Sequence, residues 1–159
     1  MLEYVTNTDD HKDSYYTASY THAHNRYSNI VPVGHTMVSL QTKSKLPADS
    51  YINANYIANP YTGQQRYFIA TQGPIPQSIV NFWQMVWLEQ ITVIVMLCGL
   101  QEHGRVDYNL NVQIACHVYW PDIELSSAKI EVGHFELTLS KIHKPNNFYW
   151  IREIDIRVV

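Results

Sequence analysis

The chain has 159 residues, 46% hydrophobic and 16% charged, which suits a folded domain with a real core and excludes a disordered, highly charged chain. Its formal charge is −3, and its 11 Lys and Arg are scattered without a basic run, so it has no electrostatic footprint for nucleic acid or an acidic membrane face. Two cysteines, Cys98 and Cys116, make no disulfide framework and suit a reducing compartment.

Residues 1–24 are polar, lack the basic start and apolar stretch of a signal peptide, and read as an approach segment. Strand-like alternation is predicted over Ser50–Ile57 and Arg66–Ala70, separated by the turn-prone string Asn59-Pro60-Tyr61-Thr62-Gly63. Gly73-Pro74-Ile75-Pro76 interrupts regular structure. Beyond it Ile79, Phe82, Trp83, Val86 and Trp87 recur at helical spacing, predicting a helix from about Ser78, as its cap, to about Glu89 with one core face. Ile91–Leu97 is an unbroken, β-branched-rich run, the pattern of a strand covered on both faces and too short to cross a bilayer. Cys116–Trp120 reads as a further short strand.

Toward the end Phe135, Leu137 and Leu139 alternate with polar positions, as do Ile154, Ile156 and Val158. The turn chemistry of His143-Lys144-Pro145-Asn146-Asn147 between them predicts an antiparallel pair. The expected fold is α/β, a mixed β-sheet with flanking helix. The last residues, Val158-Val159, fall inside a predicted strand, which reads as truncation.

Several separate strings then agree in order and spacing: Asn25-Arg26-Tyr27-Ser28-Asn29-Ile30, Ser50-Tyr51-Ile52-Asn53-Ala54-Asn55, Tyr67-Phe68-Ile69-Ala70-Thr71-Gln72-Gly73-Pro74, Phe82-Trp83-Gln84-Met85-Val86-Trp87 and Tyr119-Trp120-Pro121. Together they resemble the first half of a classical, cysteine-dependent protein-tyrosine-phosphatase catalytic domain. The resemblance implies that residues 25–159 are the N-terminal part of such a domain, ending before its acid loop and cysteine loop. It implies that Tyr27 is the aromatic wall stacking on a substrate phosphotyrosine and that Asn29 holds the substrate backbone. Glu102 would buttress the phosphate-binding arginine. The partner implied is a phosphotyrosine-containing protein or peptide, with no metal and no cofactor. The location implied is cytoplasmic, or the cytoplasmic part of a longer receptor-type protein. The chain departs from the pattern at Gly34 and Met37, at His103, and in an insertion over about Asp107–Ile114.

Two strings imitate catalytic motifs. Cys98 and Arg105 are separated by six residues where the family's phosphate cradle needs five, and an extra residue would displace a bidentate guanidinium; a buried, inert thiol is the better reading. Trp120-Pro121-Asp122 spells the acid-loop motif, but it coincides with the scaffold string, and Asp122 reads instead as a solvated turn aspartate. His22 and His24 have no third ligand in view and read as a surface pair. No catalytic residue is therefore assigned. The parent is expected to hydrolyse phosphotyrosine through a cysteinyl-phosphate, the rival readings being a non-catalytic phosphotyrosine-binding module or a non-functional fragment.

Overall fold

The computed structural model describes residues 22–41, 47–102, 113–123 and 127–159, with only the backbone described at Pro47, Ala48, Glu102 and Gln113. The chain divides into two compact units between Gln77 and Ser78. Most of the predicted insertion and most of the approach segment lie outside the described residues, as does His103.

The first unit is a three-stranded antiparallel sheet, β1 (Met37–Ser39), β2 (Tyr51–Ile57) and β3 (Phe68–Thr71), with β2 central. A four-residue helical turn, α1 (Pro47–Ser50), leads into β2. The predicted strands are there, the second shifted two residues later because Arg66 takes a positive φ of 54° and belongs to the turn. Asn59 builds that turn: its Oδ1 accepts the N–H groups of Tyr61 (2.9 Å) and Thr62 (3.2 Å). β2 does not alternate at its start, since Tyr51, Ile52, Asn53 and Ala54 are all buried. Two buried polar side chains, those of Tyr51 and Asn53, therefore need partners inside the protein. They find them in the loop at residues 24–30.

The second unit carries α2 (Ile79–Leu88), preceded by a 3-10 turn at Pro76–Ser78. Phe82, Trp83 and Val86 are at most 4% exposed, as the helical spacing requires, and Met85 joins them. Trp83 Nε1 donates to Tyr119 O at 2.7 Å, and the Phe82 ring meets the Tyr119 ring at 4.8 Å. Two details differ from expectation. Ser78 makes no side-chain capping bond, because the 3-10 turn already holds its backbone in the helical region (φ −109°, ψ −1°). Trp87 is 45% exposed, its ring meeting Phe135 on one side at 6.0 Å.

The helix stops in a Schellman arrangement. Gln90 takes φ 52°, its N–H donates to Trp87 O (3.2 Å), and Ile91 N–H donates to Val86 O (3.0 Å). The segment after the helix overturns the predicted buried strand. Ile91–Leu97 enters no ladder among the described residues, and Val93, Val95 and Leu97 are 73%, 72% and 93% exposed. The run has the composition of a strand, but a strand exists only where a neighbour accepts from its N–H groups and donates to its C=O groups, and no described segment does both. Cys98 at its end is consequently exposed, not buried.

A two-stranded ladder comes next, β4 (Gln101–Glu102) with β5 (Gln113–Ile114). Cys116–Trp120, predicted as a strand, is irregular but largely buried: it packs as side chains against α2, and Leu100 O accepts from both Ala115 and Cys116, breaking the ladder there. The unit closes with an antiparallel meander, β6 (Lys129–Val132), β7 (Phe135–His143) and β8 (Ile151–Val158). The predicted antiparallel pairing of the last two is observed, in a register that sets Phe135 opposite Val158, Leu137 opposite Ile156 and Leu139 opposite Ile154. Phe135 and Leu137 are fully buried. Gly133 makes the two-residue turn from β6 to β7 at φ +60°, where a Cβ would lie 2.9 Å from Val80 Cγ1 of α2.

Candidate functional site

Residues 24–30 form an irregular loop in the first unit, turned so that Ile30 N–H donates to Tyr27 O at 3.2 Å. Such a segment has no ladder of its own, so its buried polar groups are satisfied by turn bonds and by side chains. At its core Asn25, 8% exposed, accepts on Oδ1 from the Tyr51 hydroxyl (2.7 Å) and from Asn53 Nδ2 (3.0 Å). Asn53 Nδ2 also donates to Ile30 O at 2.8 Å, so one amide on β2 ties both the start and the end of the loop. The Tyr51 phenol is raised above its ordinary range by burial, partly offset by its bond to Asn25, and stays a neutral donor.

On the other side Gln72, just past β3, bonds the loop twice. Its Nε2 donates to His24 O (2.7 Å) and its Oε1 accepts Arg26 N–H (2.9 Å). Arg26 answers in kind: Nε and Nη2 donate to Gly73 O (3.2 and 3.1 Å), and Nη2 donates to Pro74 O (3.0 Å). The guanidinium beside Tyr27 thus serves the scaffold, gripping two carbonyl oxygens. Tyr27 is half-buried, and Asn29 is exposed at the tip. The two residues expected to touch substrate share one turn. The tethers Asn25, Asn53 and Gln72 were not singled out from the sequence; the legible signal was two polar residues, Tyr51 and Asn53, at consecutive same-face positions of a strand.

The remaining expectations resolve differently. The backbone of Glu102 pairs with Gln113 in β4, and its side chain lies outside the described residues. Asp122 is 9% exposed, not solvated: its Oδ2 accepts from Trp120 Nε1 (3.2 Å) and lies 3.7 Å from Arg152 Nη2, whose guanidinium covers the Trp120 ring. It is buried because Asp122 also bridges to Ser127 and β8 brings Arg152 over it, so the carboxylate is tied into structure. No group of three His, Cys, Asp or Glu side chains among the described residues could hold a metal. No helix among them is long and apolar enough to cross a membrane.

A short antiparallel sheet with a polar loop tied to its two later strands, together with a helix-backed meander, defines a mixed α/β domain with a pre-built surface loop. The comparisons agree on which one. The family model for protein-tyrosine phosphatase matches residues 21–158, and the chain belongs to that family. It is 36% identical over 134 residues to tyrosine-protein phosphatase non-receptor type 5 of Rattus norvegicus, covering 84% of this chain and 32% of the relative. It is 38% identical over 123 residues to receptor-type tyrosine-protein phosphatase H of Homo sapiens, covering 77% of this chain and 10% of the relative. Among solved structures, the catalytic domain of human protein tyrosine phosphatase non-receptor type 18 superposes with TM-score 0.76 at 28% identity, covering 91% of this chain and 47% of that one. A complex of that phosphatase with HER2 phosphopeptides superposes equally well, at TM-score 0.76. The chain thus spans about half of the solved domain and a third or less of these curated relatives.

Proposed function

We propose that this chain supplies the phosphotyrosine-recognition part of a protein-tyrosine phosphatase, with residues 25–159 forming the N-terminal portion of the catalytic domain. The observation that carries this reading is the tethered loop at 24–30, which holds Tyr27 half-buried and Asn29 exposed in one turn. A structural neighbour's complex with phosphopeptides supports the ligand class. In this reading the Tyr27 ring stacks on the phenyl ring of phosphotyrosine, and Asn29 holds the peptide backbone. Glu102 buttresses the arginine that binds phosphate. The whole protein would hydrolyse phosphotyrosine by attack of a cysteine thiolate on phosphorus, expulsion of the phenolate with a proton from a carboxylic acid, and hydrolysis of the cysteinyl-phosphate by water. It would act on the cytoplasmic side, whether as a free or a receptor-type protein.

A second reading is a phosphotyrosine-binding module without turnover, which would need the same Tyr27 and Asn29. Neither cysteine is followed at the required spacing by arginine, and Asp122 is engaged with Trp120 and Arg152. One experiment addresses both. Titration of a labelled phosphotyrosine peptide should give saturable binding that Tyr27→Ala weakens about five- to thirtyfold, from lost stacking and apolar contact. A phosphoserine peptide should not compete. An aryl-phosphate assay of the same preparation should match the blank, because without a cradled thiolate there is no nucleophile. Equal binding by wild type and Tyr27→Ala would refute the recognition loop, and turnover lost in Cys98→Ser would restore Cys98 as nucleophile.

A further inference from the structure

We infer that Gln72 is a positioning residue for Tyr27: its side-chain amide stands in for a missing β-neighbour and fixes the loop whose next residue is the proposed phosphotyrosine wall. A loop at a sheet margin has an N–H and a C=O that a neighbouring strand would ordinarily pair. The Gln72 amide presents one donor and one acceptor in a plane, and it pairs with His24 O at 2.7 Å and Arg26 N–H at 2.9 Å. These two groups flank Asn25, whose own side chain is held by Tyr51 and Asn53. The grip is reciprocal, since Arg26 donates to Gly73 O and Pro74 O, directly after Gln72. Gln72 is itself tied to β2, its N–H donating to Asn53 O at 3.3 Å. A displacement at Gln72 is therefore passed to the two peptide groups that flank Asn25, the second of them directly preceding the Arg26–Tyr27 step.

The consequence for ligand binding rests on the reading of Tyr27 as the phosphotyrosine wall; the consequence for the ring's placement does not. The full chain is compared with Gln72→Met, which keeps the size and loses both bonds, and with Gln72→Glu, which keeps the acceptor for Arg26 N–H and loses the donor to His24 O. Gln65→Met, at an exposed turn glutamine that bonds Gly63 O, is the control. Three readouts are taken: amide exchange at Arg26, the Tyr27 ring resonances, and affinity for a phosphotyrosine peptide. In Gln72→Met, Arg26 exchange should rise at least about tenfold, the Tyr27 resonances should move toward random-coil positions, and the peptide should bind about five- to tenfold more weakly. Gln72→Glu should keep Arg26 protected and lie between, and Gln65→Met should change none of the three. Unmoved Tyr27 resonances in Gln72→Met would overturn the inference whatever the peptide does. If the resonances move while neither wild type nor variant binds peptide, the positioning role stands and the recognition reading is the part that fails.

Discussion

The loop at 24–30 and the run at 91–97 invert what their sequences suggest. The loop is polar, irregular and devoid of strand or helix, yet both of its ends are held: His24 O and Arg26 N–H by Gln72, Asn25 by Tyr51 and Asn53, and Ile30 O by Asn53. The run is apolar, largely β-branched and uncharged, yet beyond Ile91 no backbone group of it enters a ladder among the described residues, and its side chains stand in solvent. Hydrogen-bond partners, more than local propensity, decide which segment has a fixed shape. A site can be built from a segment with no propensity at all if its neighbours carry the right side chains.

The largest effect comes from the exposure of the run. An uncharged strand-former with open N–H and C=O groups is a template for pairing with another chain, so the purified protein should associate at size-exclusion concentrations. Val93→Lys with Val95→Lys should return it to monomer without lowering its melting temperature, since both side chains are more than 70% exposed. An unaltered oligomer in that variant would mean that the run is not the adhesive surface. β8 offers the internal contrast. It also lies at the edge of its sheet, but Glu153, Asp155 and Arg157 on its exposed face protect it.

Truncation inside the paired part should cost far more than truncation in the run. Leu137→Ala, at a fully buried position of β7, should destabilise by about 2–5 kcal/mol, whereas Val95→Ala should stay within about 0.5 kcal/mol. Denaturant titration of both variants checks the pair; comparable losses would show that the run is packed in solution. Gly133→Ala should lose about 1–3 kcal/mol, combining its φ of +60° with the 2.9 Å approach to Val80. Val80→Ala beside it should recover part of that loss by opening the space.

Much of this fold was legible, and the misses share one cause. The β7–β8 pairing could be read because both segments alternate apolar with polar residues and turn residues lie between them. The α2 face could be read from helical spacing. The fate of Ile91–Leu97 could not, because periodicity reports what a segment can pair with and not whether a partner is there. The same absence exposed Cys98. Asp122 reads as solvated in the sequence because its cover, Arg152, comes from thirty residues further on. At the site, the string Asn25-Arg26-Tyr27 announced the loop, but Gln72 acts through contacts some forty-eight residues away in sequence, which no local pattern encodes.

The last predicted effect is alkaline. The Tyr119 phenol is pushed up to about 12, chiefly by burial and then by electrostatic repulsion from nearby Cys116 and Cys98. In the unfolded chain it titrates near its ordinary value of 10.0, so between pH 10 and about 12 the unfolded state sheds a proton that the folded state keeps. That contribution is fully present below pH 10.0 and is lost as pH rises through about 12. Melting curves of Tyr119→Phe should therefore fall less steeply across that window than those of wild type. Parallel curves would show that the phenol is not buried from water.

The central proposal is that the loop at 24–30 recognises phosphotyrosine while the run at 91–97 takes no part in recognition. Its most direct test is a residue-resolved NMR titration of the monomeric Val93→Lys, Val95→Lys chain with a phosphotyrosine peptide. The account predicts saturable shifts centred on Arg26, Tyr27 and Asn29, with amides 92–97 unmoved. A titration that leaves the loop unperturbed, or that moves amides 92–97 instead, would contradict it.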